Sequence, residues 1–150
     1  MSPALRVLVW IGGLALLAAT AIDTLAVIGR QVGLPITGSI ELMQAVVLAS
    51  GAIGLVVATI EQSHARVRIL VDRISHSAQR IADRLSDVLT FLFVLALLVG
   101  SAWIAVELWG EHEQSELLGI SWRLLRLFAN ACLLATCAIL LWRIFRRRTP

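Results

Sequence analysis

Four stretches of the chain, residues 7–28, 40–60, 85–108 and 124–142, stay apolar with only an occasional polar side chain. Each is close to the roughly 20 residues an α-helix needs to cross the ~30 Å hydrocarbon core of a bilayer. The pattern predicts an all-α integral membrane protein of four transmembrane helices, forming a single membrane domain over residues 1–150. The first stretch has a second reading as a secretory signal, since Arg6 precedes the apolar run and Ala19-Thr20-Ala21 has the small-residue spacing of a cleavage site. The run continues past Asp23 through Leu25, Ala26, Val27 and Ile28, which favours a full span.

Between the second and third stretches the pattern changes to "EQSHARVRILVDRIS", residues 61–75. Part of it alternates like a strand, but over the longer window Val67, Leu70, Val71, Ile74, Ala78, Ile81 and Leu85 recur at three- and four-residue steps. That spacing lays one apolar stripe along a helix and leaves Arg66, Arg73, Arg80 and Arg84 around its polar side. Arg68 with Asp72, Arg80 with Asp83 and Arg84 with Asp87 fall at i+4 or i+3 and can pair along it. The segment at about 64–84 is therefore expected to be a basic amphipathic helix, lying in a membrane interface or packing on another membrane subunit.

Composition agrees with the membrane reading. The 150 residues are 59% hydrophobic and 15% charged, where soluble domains average about 45–50% and about 25%. The basic charge is all arginine, and its distribution sets an orientation. Taking the segments alternately, one side holds Arg6, Arg66, Arg68, Arg73, Arg80, Arg84, Arg143, Arg146, Arg147 and Arg148, and the other holds Arg30, Arg123 and Arg126. The positive-inside bias then places both termini and the amphipathic segment in the cytoplasm, with a short loop near 29–39 and the cluster Glu107, Glu111, Glu113, Glu116 outside. The basic tail "RIFRRRTP" is suited to anionic lipid headgroups, so membrane lipids are expected partners and nucleic acid is not. Trp10 and Trp142 fall at the cytoplasmic ends of spans and Trp109 and Trp122 at the external ends, as interfacial indoles should; Trp103 lies deeper and reads as a packing residue.

Candidate chemistry is sparse. Cys132 and Cys137, five apart in the fourth span, point about 140° from each other on an ideal helix and read as small hydrophobes. His64, His76 and His112 lie outside the spans, so no haem-like axial pair sits at bilayer depth, and no metal-ligand spacing, phosphate loop or nucleophilic triad appears. No catalytic residue, cofactor or metal is expected. Asp23 and Glu41, near the external ends of the first two spans, are the ionisable groups closest to the bilayer interior. Both could pair with Arg30, or Asp23 could serve a small autonomous proton-coupled exporter.

Three short motifs, in order, resemble the small permease (DctQ-type) subunit of TRAP transporters, the tripartite ATP-independent periplasmic transporters. The first is "GRQVGLPITGSIEL", with Arg30, Pro35, Ser39 and Glu41; the second is "HARVRILVDRI", with His64, Val67, Val71, Asp72 and Arg73; the third is "LLGISW", Leu117 to Trp122. Two positions depart from the family pattern: Arg68 stands where an aspartate is usual, and Ser121 follows Gly-Ile where a proline is usual. The resemblance implies a non-catalytic subunit in the bacterial inner membrane that braces a large permease of about twelve spans. That permease takes up an organic acid by ion-coupled symport, delivered by a periplasmic solute-binding protein. It makes Asp23, Arg30, Glu41, His64, Arg68, Asp72 and Arg73 candidates for subunit-interface or structural roles, and Glu107, Glu111, Glu113 and Glu116 candidates for docking the binding protein. Other four-span accessory subunits, including the small subunit of tripartite tricarboxylate transporters, share the general layout.

Overall fold

The computed structural model describes residues 3–61, 76–110 and 114–146. They form four helices: α1 Pro3–Gln31, α2 Ser39–Ile60, α3 His76–Glu107 and α4 Trp122–Arg146. All four contain a segment long and apolar enough to cross a membrane, and the chain is a multi-pass α-helical membrane protein. α3 begins at His76, so the part of the expected amphipathic segment from 76 to 84 is a continuous extension of the third span. The remainder of that segment, with His64, Arg68, Asp72 and Arg73, lies outside the described residues, as do Glu111, His112 and Glu113.

The helices pack as a row. α1 packs on α2, α2 on α4 and α4 on α3, giving the spatial order 1-2-4-3 with α1 and α3 at the two edges. One end of the row carries the start of α1 and the end of α4; the other carries the α1–α2 turn and the α3–α4 connection.

The α1–α2 seam follows from residue size. Leu5, Ala19, Ala26 and Gly29 are the buried residues of α1, and with Gly12 they recur at seven- and three-residue steps, the spacing of a coiled-coil seam. Small side chains there let the backbones approach, which is how membrane helices associate when lipid supplies no hydrophobic drive. The approach is close enough that a Cβ on Gly12 would sit 3.3 Å from Ile53 of α2, and the Ser50 hydroxyl donates to the Gly12 carbonyl at 3.0 Å. The α3–α4 seam is conventional: Val94, Cys137 and Leu140 are buried, with Phe91, Leu98 and Leu133 packed around them. Cys137 is thus a core side chain, and both cysteines are free thiols.

α1 ends in a Schellman cap. Leu34 N–H reaches Gly29 O at 2.8 Å and Gly33 N–H reaches Arg30 O at 3.4 Å, with Gly33 in the left-handed region at φ 75°, the conformation that makes glycine the preferred residue there. The chain then turns through Pro35 into α2.

Candidate functional site

Glu41 is the third residue of α2, counting from Ser39, where a carboxylate favours the positive end of the helix dipole. In a capping box that side chain would turn back to its own helix start; here it reaches across to the α3–α4 connection. The Ser115 hydroxyl donates a short hydrogen bond to Oε2. Leu117 N–H points at both carboxylate oxygens, 3.3 and 3.2 Å away, and Leu118 N–H donates to Oε2 at 3.1 Å.

The receiving segment is a small closed hairpin. Gln114 and Ser121 form an antiparallel bridge, Ser115 N–H donates to Ile120 O at 2.9 Å, and Gly119 N–H to Ser115 O at 3.1 Å. The Ser115 oxygen also accepts from Leu118 N–H at 3.1 Å, so one buried serine links the hairpin's own turn to the carboxylate. Gly38, the residue before α2, completes the contact. It is left-handed at φ 79°, and a Cβ there would stand 2.9 Å from Leu118 Cγ. Beside the hairpin, Arg123 of α4 donates to Trp109 O at 2.5 Å and places its guanidinium 5.1 Å from the centre of the Trp109 ring.

At the opposite end of the row a second tie joins three helices. Arg143 of α4 donates a short hydrogen bond to the carbonyl of Thr59, in the last turn of α2, where a cation complements the negative end of the helix dipole. Its other terminal nitrogen lies 3.9 Å from Asp87 of α3, with both side chains about nine-tenths buried. Counted by sequence as part of a basic tail facing lipid headgroups, Arg143 is instead drawn into the protein.

The expected pairing with Arg30 is not what these carboxylates do. Glu41 is held by the hairpin, and Arg30 Nε donates back to Ala26 O at 3.3 Å. Asp23 and Arg30 are two turns apart on one helix, about 10.5 Å along its axis. Glu107 and Glu116 are exposed. Trp103, read as a packing residue, is 72% exposed and borders a shallow apolar hollow on the outer face of α3 with Val99, Ala102, Val106 and Glu107. Among the described residues no group of three or more His, Cys, Asp or Glu could hold a metal ion. Two polar ties, one at each end of the row, join α2 to the α3–α4 connection and α4 to both α2 and α3.

The comparison with protein families agrees with the three motifs. The family model of the DctQ component of tripartite ATP-independent periplasmic transporters matches residues 19–123, from mid-α1 to the start of α4 and including Glu41 and its hairpin. No curated relative matches the sequence.

Proposed function

This chain belongs to the DctQ component family of tripartite ATP-independent periplasmic transporters, and from that premise we propose that it is the non-catalytic small subunit of an organic-acid uptake system. In this reading it lies in the bacterial inner membrane with both termini in the cytoplasm, braces the large permease, and helps seat the periplasmic solute-binding protein. The Glu41 tie then faces the periplasm and the Arg143 tie the cytoplasm.

The observation that carries the reading is the pair of end-to-end ties on an open row. A subunit that moved substrate itself would be expected to bring polar groups or broken helices together at mid-membrane depth. Here the cross-helix polar chemistry at Glu41 and at Arg143 sits at the row's ends and joins helix to helix, which suits a part that stays still while its partner moves. The hairpin at 114–121 gives the external side a defined shape and carries the exposed Glu116 and Leu117. Asp23, Arg30 and Glu41, with the cytoplasmic His64, Arg68, Asp72 and Arg73, serve assembly rather than transport chemistry.

Docking of the binding protein is tested on the acidic rim. Reversing Glu111 and Glu113 together to lysine should raise the binding-protein concentration needed for half-maximal uptake in proteoliposomes, and more so at low ionic strength, because rim charges act mainly through encounter. An unchanged concentration dependence removes the docking role.

A further inference from the structure

The face of α1 next to its α2 seam carries Leu16, Thr20, Asp23, Val27 and Arg30 at alternating four- and three-residue steps, all exposed. Asp23 is set within apolar surface rather than at its edge: Leu25, Val27 and Ile28, between it and the loop end, are 55, 44 and 52% exposed. The neighbouring side-chain donors turn back onto their own helix. Thr20 Oγ1 donates to Leu16 O at 3.1 Å, Thr24 Oγ1 to Thr20 O at 2.8 Å, and Arg30 Nε to Ala26 O. Among the described residues nothing donates to the Asp23 carboxyl group, and one methylene is too short to carry it to the interface as the longer arginine and lysine stems allow. A polar group so placed in hydrocarbon is costly unless a partner meets it.

Apolar side chains are also exposed beyond the end of α1. The 29 residues of α1 are about 43 Å long, against a hydrocarbon core of ~30 Å, and beyond its end the turn still exposes Val32, Leu34 and Ile36 at 64, 74 and 48%. Acyl chains do not reach the exposed Val32, Leu34 and Ile36 of the turn, so another protein is the fitting cover there.

We propose that this face of α1, with the turn at 32–36, is where the large permease sits, and that a basic side chain within the permease's membrane region meets Asp23. The proposal rests on the function assigned above and adds the surface and its chemistry. A water-soluble binding protein could cover the turn but does not reach Asp23. A second copy in the same orientation would place its own Asp23 at the same depth and supply no basic partner for this one.

The test uses the full chain co-expressed with its large permease, with a photo-cross-linking residue at Leu16, Thr20 or Val27, or at Leu92 or Val99 on the outer face of α3. The proposal expects adducts with the permease from the α1 positions and far fewer from α3. Asp23→Leu should lower the permease recovered with the tagged chain roughly tenfold or more, with Asp23→Asn between it and the native protein. The leucine variant makes α1 more apolar, so the chain itself should still insert and fold. Permease adducts confined to α3, adducts between two copies at α1, or full recovery with Asp23→Leu each overturn the proposal while leaving the subunit assignment standing. Failure of the native chain to recover any permease overturns that assignment instead.

Discussion

Replacing Arg143 by leucine is expected to destabilise the folded chain by about 3 kcal/mol, the lower end of the roughly 3–5 kcal/mol lost when one member of a buried ion pair is removed. The lower end applies because the 3.9 Å separation from Asp87 is long. Two groups are affected at once: Asp87 loses the guanidinium beside its buried carboxylate, and the Thr59 carbonyl, in the last turn of α2, loses the Arg143 donor. The double variant Asp87→Leu/Arg143→Leu should recover much of the loss, since a buried pair replaced as a pair by apolar residues is often close to neutral. Thermal unfolding of the purified protein measures both; a double variant no better than Arg143→Leu alone would show that the ion pair is not the source of the effect.

Replacing Glu41 by alanine should release the hairpin at 114–121. The carboxylate gathers Ser115 Oγ and the N–H groups of Leu117 and Leu118, and charge-assisted hydrogen bonds of this kind are the stronger ones. Hydrogen exchange at Leu117 and Leu118 is expected to accelerate roughly tenfold or more, with little change in the α3–α4 seam around Val94 and Leu140. Glu41→Gln should fall between, keeping an acceptor oxygen but not the charge. Unaltered exchange in the alanine variant would mean that the hairpin holds its own shape through the Ser115–Ile120 and Ser115–Gly119 bonds.

These two residues also mark what the sequence made legible. The four spans were readable because hydrocarbon imposes a length and a composition on every crossing helix, and the family was readable from motifs whose order matched the spans. The side-by-side order 1-2-4-3 was not, because hydrophobicity says that a helix is buried in lipid and not which helix it touches. Glu41 was singled out from its place at a span edge, yet its partners lie more than seventy residues further on; Arg30, the nearby base, was the only candidate that local spacing offered. Arg143 was hidden for a related reason, since it stands one residue after Trp142 in what reads as an interfacial basic tail. The small residues of α1, spaced by sevens and threes, did hold a signal for the α1–α2 seam that a search for charges and ligands passes over.

The account's central claim is that this chain works as a fixed subunit of a larger transporter, and its recovery from membranes tests that most directly. Expressed with the genes adjacent to its own and purified by a tag on its C-terminus, it should emerge in equal amount with a larger multi-span permease, and uptake in proteoliposomes should require both chains. Purification of a stable homodimer that transports solute with no other membrane protein present would contradict it.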